Sequence, residues 1–302
     1  MSDLVAIFGP TAVGKTGVAI ALAELLRERG EDPVAVNCDA IQVYRGLAVL
    51  SGAATAEERS RLEHRLLSFV DPSEEFSAGR YAELAHAEID RVLADGRRPI
   101  VVGGTGLYLR AALADLDLRP PVPAEVRAEV EAEIAERGSE ALHAELEPAL
   151  AAGVAPGDRK RIARLTELER AGIEAHEDAE GLWTATLRHP TLLIGLVVDR
   201  AELASRIDAR VDAMLAAGAA EEARAADEGG VSRTARAALG FAQLLEGHDG
   251  PPPPEVVEAM KAAHRRYARR QITWMRRMEG VRLIDRTGRV DSDLAAEMAS
   301  LL

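Results

Sequence analysis

Short apolar runs alternate with longer amphipathic segments in the first third of the chain. Residues 4–8, 33–37 and 98–102 are compact apolar runs of the kind that form buried strands. Between them, apolar positions recur every three or four residues over 16–29 and 78–93, which predicts two helices. Strands that alternate with helices in this way predict an α/β domain built around a parallel sheet.

The pattern changes after a proline-rich stretch at residues 120–123. Charged residues then predominate, and the apolar positions follow a helical spacing. That spacing covers three segments with no convincing strand between them, residues 124–137, 139–150 and 158–171. The shift predicts an inserted all-helical domain at residues 118–190, while residues 1–117 and 191–302 form one discontinuous core.

The α/β pattern resumes with an apolar run at residues 191–198 and a periodic helix over residues 201–217. A long helix is expected over residues 255–278, followed by an edge strand at residues 281–285. Earlier in the chain, residues 57–65 are also helical in pattern, which predicts that His64 lies at a partly exposed helix end.

Composition favours a large globular core, because 47 % of the 302 residues are hydrophobic. There is no run of about 18 apolar residues of the kind that spans a membrane. The first residues lead directly into a strand, without the pattern of a signal peptide. Cys38 is the only cysteine, which excludes an internal disulfide. We therefore expect a cytoplasmic protein without membrane contact.

The net charge of −13 argues at first against a nucleic-acid partner, because phosphate contacts need lysine and arginine. The distribution of charge changes this picture. Residues 261–277 contain seven basic and no acidic side chains, and residues 159–164 carry a second basic cluster within an acidic region. An acidic body with two local basic patches can bind a polyanion at defined places.

The candidate chemistry begins where the first strand ends. The sequence there, G-P-T-A-V-G-K-T, matches the phosphate-binding pattern G-x-x-x-x-G-K-[ST]. A strand, a glycine loop and a helix give the required context, because loop amides and the helix N-terminus then point at phosphate oxygens. Lys15 would add a positive charge, and the Thr16 hydroxyl would hold Mg²⁺. The predicted di- or triphosphate site consists of Gly9, Pro10, Thr11, Ala12, Val13, Gly14, Lys15 and Thr16.

Two further segments follow strands of the predicted sheet. Asp39 comes just after the second strand, at the edge where ligands bind in open α/β sheets. Aspartate is equally typical of an N-cap, so position alone leaves both interpretations open. The third strand leads into the glycine cluster Gly103–Gly106, which would place Thr105 beside the phosphate site.

These segments together resemble the tRNA dimethylallyltransferase (tRNA isopentenyltransferase) family. The similarity extends from Val5 to about Asp285 and includes the phosphate-binding loop. The other motifs that carry it are D-A-I-Q-V-Y-R-G-L (39–47), P-I-V-V-G-G-T-G-L-Y (99–108), D-R-K-R-I-A-R (158–164), R-I-D-A-R-V-D-A-M-L-A-A-G (206–218) and R-R-Y-A-R-R-Q-I-T-W-M-R-R (265–277). The resemblance implies a P-loop NTPase-like parallel sheet flanked by helices.

Members of that family transfer a dimethylallyl group from dimethylallyl diphosphate to N6 of the adenine just 3′ of the anticodon in tRNA. The resemblance implies that the loop binds the diphosphate leaving group, with Mg²⁺ at Thr16 and Arg210 as a further catalytic contact. It also implies that Asp39 orients the N6 amine and accepts its proton. The target base must be flipped out of the anticodon loop to reach such a pocket.

The same resemblance implies a surface for the tRNA anticodon stem-loop. The helical insertion would cradle the stem-loop, and the C-terminal basic helix would contact phosphates. The expected tRNA contacts are Asp39, Ala40, Ile41, Gln42, Thr105, Arg127, Lys160, Arg161, Arg164, Arg269 and Arg270. The partners implied are tRNA and dimethylallyl diphosphate, and we expect the chain to act as a monomer.

The chain departs from the family pattern at several positions. Ala40 stands where serine is usual, and Gly52–Ala56 replaces a G-T-A-K-P stretch, which removes a lysine. His264 stands in place of a frequent threonine. These departures affect the expected RNA contacts more than the expected reaction.

Two other functions fit part of the chain. A P-loop kinase of a small metabolite or nucleotide would share the first motif, but it leaves the insertion and the arginine-rich helix unexplained. An adenylate isopentenyltransferase, which prenylates free AMP, would need no anticodon cradle.

Overall fold

The computed structural model describes residues 2–116, 118–174, 186–246 and 250–302. The chain divides into two compact units, one formed by Met1–Leu116 with Trp183–Leu302 and the other by Asp117–Leu182. The predicted domain boundary at residue 117, and residues 175–185 of the predicted insertion, lie outside the described residues.

The strands are β1 (Leu4–Phe8), β2 (Pro33–Asn37), β3 (His64–Arg65), β4 (Arg98–Gly103), β5 (Thr191–Val197) and β6 (Arg282–Asp285). The helices are α1 (Lys15–Glu28), α2 (Ala48–Ser51), α3 (Ala56–Arg61), α4 (Ala78–Ala94), α5 (Gly106–Leu113), α6 (Ala124–Arg137), α7 (Ser139–Glu145), α8 (Pro148–Ala151), α9 (Arg159–Arg170), α10 (Arg200–Ala216), α11 (Ala219–Glu228), α12 (Arg233–Arg236), α13 (Phe241–Leu245), α14 (Pro254–Arg277) and α15 (Asp291–Ala299). Helices α6 to α9 belong to the second unit.

Within the described residues, the strands form one parallel sheet in the order β3-β2-β4-β1-β5-β6. At its centre, Val5 of β1 is paired with Ile100 of β4 and Leu192 of β5. The carboxyl ends of β1, β2 and β4 therefore meet at one edge, as strand ends do in a parallel sheet. The predicted parallel α/β architecture is confirmed, and β6 is the edge strand that its sequence predicts.

One apolar cluster of the first unit packs the sheet against the helices α1 and α15. Ile7, Leu22 and Met298 are fully buried in one cluster that draws on all three elements. Burial of aliphatic side chains of this size contributes about 1.5 to 3 kcal/mol each. This packing fixes the start of α1, and with it the loop that joins β1 to α1.

The second unit has an apolar core of its own. Val130, Ile134, Leu142 and Ile162 are buried together where α6, α7 and α9 pack. Residues 118–174 contain no strand, as the sequence predicts. In the described parts of both units, no helix combines the length and the apolarity needed to span a bilayer.

Two local predictions are wrong. His64 does not lie at a helix end, because α3 stops at Arg61 and His64 is paired with Ala35 in the short edge strand β3. The helix expected over residues 139–150 is interrupted, since Leu146 is extended and Pro148 begins a new helix. Proline lacks the N–H that would continue the preceding helix, but it is well suited to the first turn of the next.

Candidate active site

The P-loop, residues 9–16, consists of the loop that joins β1 to α1 and the first two residues of α1. Its backbone passes through left-handed conformations. Gly14 has a φ of 91° directly before α1, and Ala12 has a φ of 66°. A positive φ is strained for a residue with a Cβ, and such strain concentrates at functional loops. Among the described residues, no side chain caps α1 and its first turn carries no acid. The N–H groups at this helix N-terminus are thus suited to an anion.

Lys15 folds back onto this loop. Its Nζ donates to Gly9 O and to Pro10 O, each at 3.0 Å. Burial and the nearby Arg210 guanidinium lower the pKa of Lys15 to about 8, while Asp39 acts in the opposite direction. Lys15, Arg210 and Asp39 therefore belong to one electrostatic environment.

Affinity for a diphosphate should depend on pH through Lys15. Below pH 8 the ammonium is already charged, whereas at higher pH binding must take up a proton. Affinity for an alkyl diphosphate should therefore fall by up to about tenfold per pH unit above the pKa. Calorimetric titration in buffers of different ionisation heat measures both the affinity and the proton uptake.

The control for this prediction is Lys15→Arg, since arginine stays charged throughout this pH range. The affinity of this variant for the alkyl diphosphate should not fall as the pH rises above 8. If the unchanged protein binds equally well on both sides of pH 8, with no proton uptake, the effect assigned to Lys15 is wrong.

Asp39 begins the turn after β2 and caps it. Its Oδ1 accepts hydrogen bonds from the backbone N–H groups of Ile41 at 2.9 Å and Gln42 at 3.3 Å. Its Oδ2 accepts no hydrogen bond from the described residues. The two interpretations of Asp39 are therefore compatible, because the turn fixes the carboxylate with one oxygen and leaves the other for a substrate.

A pair of hydrogen bonds joins the Asp39 turn to the glycine cluster after β4. Ala40 N donates to Thr105 Oγ1 at 3.0 Å, and Thr105 N donates to Cys38 O at 3.3 Å. A Cβ at Gly103 would overlap with the Cys38 backbone, so only glycine permits this approach. Cys38 is buried, which raises the pKa of its thiol, so it acts as a small packing residue.

Arg210 and Gln42 converge on the turn at the end of α2. Arg210 Nη2 donates to Ser51 O at 3.2 Å and to Gly52 O at 3.3 Å, while Gln42 Nε2 donates to Gly52 O at 3.2 Å. Burial lowers the pKa of Arg210, and Asp39 opposes this shift. Arg210 Nε is buried without a hydrogen-bond partner among the described residues. An orphan donor on a buried cation suits an anionic ligand.

Sequence reasoning misses Glu222 on α11, which fixes the start of α2. Its Oε1 accepts from Val49 N at 3.0 Å, and its Oε2 accepts from Leu50 N at 2.7 Å. These N–H groups open α2, so the carboxylate caps a helix that lies far away in sequence. No local pattern marks such a cap, because the partners are 172 positions apart.

The exposed charge of α14 is smaller than its sequence suggests. Lys261 Nζ lies 2.8 Å from Asp212 Oδ1, and Arg265 forms an ion pair with Asp208. Both acids lie on α10, which neutralises one side of α14. The exposed arginines of α14 are Arg266, Arg269, Arg270, Arg276 and Arg277. We call these five residues the α14 arginine surface.

The other predicted tRNA contacts lie in the second unit. Lys160 and Arg161 are exposed in the first turn of α9, and Arg127 is half-buried on α6. Arg164 differs, because its Nη2 donates to two backbone carbonyls of the preceding linker, the closer being Pro120 O at 2.7 Å. Arg164 thus fixes the linker to α9.

The described residues suit Mg²⁺ only together with a phosphate ligand. They contain no group of three or more His, Cys, Asp or Glu side chains placed to hold a metal. Mg²⁺ commonly takes one or two protein oxygens and completes its shell with water and substrate phosphates. Thr16 supplies a hydroxyl in the first turn of α1, next to the predicted phosphate site.

Residues 42–278 match the family model described as IPP transferase. The chain is 42 % identical to the tRNA dimethylallyltransferase of Kineococcus radiotolerans, over 99 % of this chain and 96 % of that protein. It is 44 % identical to the tRNA dimethylallyltransferase of Anaeromyxobacter dehalogenans, over 92 % of this chain and 93 % of that protein.

The solved structures that are similar to this chain have names of the same kind as these sequence relatives. The chain is similar to the full-length tRNA isopentenylpyrophosphate transferase from Bacillus halodurans, with a TM-score of 0.71 and 32 % identity over 100 % of this chain and 96 % of that one. It is also similar to a eukaryotic dimethylallyltransferase described as acting on tRNA. That match has a TM-score of 0.73 and 25 % identity, and it covers 95 % of this chain and 74 % of that one.

Proposed function

This chain belongs to the IPP transferase family, and from that premise we propose that it transfers a dimethylallyl group from dimethylallyl diphosphate to tRNA. The observation that carries the proposal is the meeting of the P-loop, the Asp39 turn and the Thr105 loop at one edge of the sheet. An anion site beside a carboxylate is what the alkylation of an amine by an allylic diphosphate requires.

The proposed acceptor is N6 of the adenosine 3′ of the anticodon. N6 forms a bond to C1 of the allylic group while the bond from C1 to the diphosphate oxygen breaks, and the diphosphate leaves with the electron pair. The proton lost by N6 passes to Asp39. The hydrogen bonds to Asp39 Oδ1 hold this carboxylate in place, and Oδ2 is the oxygen that would accept the proton.

The diphosphate side of the reaction depends on preorganised positive charge. The N–H groups that open α1, the Lys15 ammonium and the Arg210 guanidinium would stabilise the negative charge on the leaving group. Mg²⁺, bound through the diphosphate and Thr16, would neutralise part of the same charge. The buried setting of Lys15 and Arg210 strengthens these interactions relative to water.

Recognition of tRNA would use both units. The α14 arginine surface offers exposed guanidinium groups to phosphates, and Lys160 and Arg161 do the same on α9. Ala40, Ile41 and Gln42, in the turn that Asp39 caps, would contact the flipped adenine. Single-stranded loops with unstacked bases are the parts of RNA that proteins read most readily.

The proposed function is tested by incubating the protein with Mg²⁺, dimethylallyl diphosphate and unmodified tRNA. Mass spectrometry of the digested tRNA should show the gain of one prenyl group on adenosine. A tRNA in which guanosine replaces the adenosine 3′ of the anticodon should remain unmodified. Turnover of ATP without modified tRNA would favour a kinase, and a product formed only with AMP would favour prenylation of the free nucleotide.

The α14 arginine surface gives a prediction about binding. Arg269→Ala combined with Arg270→Ala should weaken tRNA binding and lower the slope of log affinity against log salt by roughly 1.4 to 1.8, since two phosphate contacts are lost. Fluorescence anisotropy with labelled tRNA over a range of salt concentrations measures both quantities.

A matched control removes the same charge from the same helix. Lys261→Gln combined with Arg265→Gln affects residues that are already paired with Asp212 and Asp208. This variant should keep the parental salt slope. Equal slopes for all three proteins would show that α14 does not contact the phosphates of tRNA.

A further inference from the structure

The C-terminal half of α14 lies against Gly104, in the loop after β4, and against Gly106, the first residue of α5. A Cβ at Gly104 would overlap with Gln271 Nε2, and a Cβ at Gly106 would overlap with the Trp274 ring. Only glycine allows a helix to approach a loop this closely. The absence of a Cβ at Gly104 and Gly106 therefore lets Gln271 and Trp274 of α14 pack directly on the segment that carries Thr105.

Gln271 is the polar residue at this contact, and it is only 4 % exposed. Its Oε1 accepts from Thr11 N at 2.7 Å, and its Nε2 donates to Gly104 O at 2.7 Å. One end of the side chain must accept and the other must donate. A primary amide satisfies both demands, whereas an ionised carboxylate only accepts and a thioether does neither effectively.

Of the two loops joined by Gln271, one would bind the prenyl donor and the other supports the turn that would bind the acceptor. Thr11 belongs to the P-loop, which would hold the diphosphate of the donor. Gly104 precedes Thr105, whose Oγ1 accepts the Ala40 N–H next to Asp39. A side-chain amide thus links the donor loop to the acceptor turn through contacts of normal hydrogen-bond length.

We propose that Gln271 is a positioning residue that sets the spacing between the P-loop and the loop that supports the Asp39 turn. The proposal rests on the proposed prenyl transfer, in which the donor carbon and the acceptor amine must be held in near-attack geometry. Both ends of the Gln271 side chain are engaged by the protein backbone, so in this proposal it acts through Thr11 and Gly104 and not on a substrate. A displacement of about 1 Å in such a site can cost about 100-fold in rate.

The first experiment measures single-turnover prenyl transfer at saturating tRNA and dimethylallyl diphosphate. Gln271→Met keeps the side-chain length but loses both hydrogen bonds, so the rate constant should fall about 10- to 100-fold. The affinity for tRNA should stay within about twofold, because the arginine surface is unchanged. Thr273→Ala, an exposed position on the same helix, should leave both quantities unchanged.

A second variant separates positioning from general destabilisation. Gln271→Glu keeps the acceptor for Thr11 N–H but directs a carboxylate at the Gly104 carbonyl. When protonated, the carboxyl group both accepts and donates, as the amide does. The ratio of the Gln271→Glu rate to the parental rate should therefore rise as the pH falls, while the Gln271→Met ratio stays constant.

A readout without catalysis tests the link between the two loops separately from the reaction. Hydrogen exchange of the peptide that contains residues 9–16 should be faster in Gln271→Met, because the Thr11 amide loses its acceptor. If the parent does not prenylate tRNA but this exchange still quickens, the proposed function fails and the link between the loops stands. Parental exchange and a parental single-turnover rate in Gln271→Met would overturn the proposal, as would a loss of rate matched by an equal loss of tRNA affinity.

Discussion

Asp39→Asn should lower the rate constant for prenyl transfer by about 10² to 10⁴-fold, the usual contribution of a general base. The amide oxygen of asparagine can still accept from Ile41 N and Gln42 N, so the turn after β2 should keep its shape. The variant thus removes the proton acceptor and leaves the cap. Single-turnover assays with tRNA, together with the melting temperature and the tRNA affinity, measure the expected separation.

Asp39→Ala is the companion variant, because it removes the base and the cap at once. It should lose as much activity as Asp39→Asn and, in addition, about 0.5 to 2 kcal/mol of stability, which is the usual cost of losing a capping oxygen. Both variants should retain tRNA binding, since each changes a contact with the flipped adenine and removes no phosphate contact. A near-parental rate for Asp39→Asn would remove Asp39 from the proton transfer and leave it only the role of a cap.

Lys15→Met should reduce kcat/KM for dimethylallyl diphosphate by about 10² to 10³-fold, the usual effect of removing one group that stabilises transition-state charge. Methionine approximates the length of the side chain but carries no charge to the leaving diphosphate. The same change should alter the melting temperature little at neutral pH, because the loss of the hydrogen bonds to Gly9 O and Pro10 O is offset by the removal of a buried charge. The lowered pKa of Lys15 shows that the folded protein without ligand disfavours the charged form. Steady-state kinetics and thermal unfolding test the two statements together.

Lys261 provides the control, because it is one of only two other lysines in the chain and can receive the same substitution. Lys261→Met removes an ammonium that forms ion pairs with Asp212 and Glu258 and has no hydrogen bond to the P-loop among the described residues. It should leave kcat/KM for the donor unchanged. If Lys15→Met retains parental kcat/KM, the P-loop lysine does not stabilise the leaving group.

Elements with an uninterrupted pattern could be predicted from the sequence to within a residue. The bounds of β1, β2 and α6 match their predicted ranges, because burial on both faces or steady helical spacing leaves a clear signal. The strand that contains His64 cannot be recognised in this way, since a strand of two residues at a sheet edge has no periodicity. The break before Pro148 leaves no signal in the apolar spacing, which continues across it, although proline cannot continue the hydrogen bonds of the preceding helix.

In the candidate site, too, residues with a local sequence signal differ from residues whose contacts depend on distant parts of the chain. The position of the P-loop, Asp39 and Thr105 at one edge of the sheet could be predicted, since each closely follows a strand of a parallel sheet. Gln271 and Glu222 could not be assigned these contacts, because their partners lie 260 and 172 positions away. The same limit applies to charge. The ion pair between Arg265 and Asp208 depends on how α14 packs on α10, which no count of basic residues along α14 reveals.

The strand order also bears on how the protein is made. β1 leaves the ribosome early, but its neighbour β5 begins only at Thr191, after the whole helical insertion. The insertion has its own apolar core and can fold while one side of β1 is still unpaired. We therefore expect the nascent chain to expose an aggregation-prone strand edge during synthesis, and refolding from denaturant to be slow, because pairing across a long separation must precede the final packing.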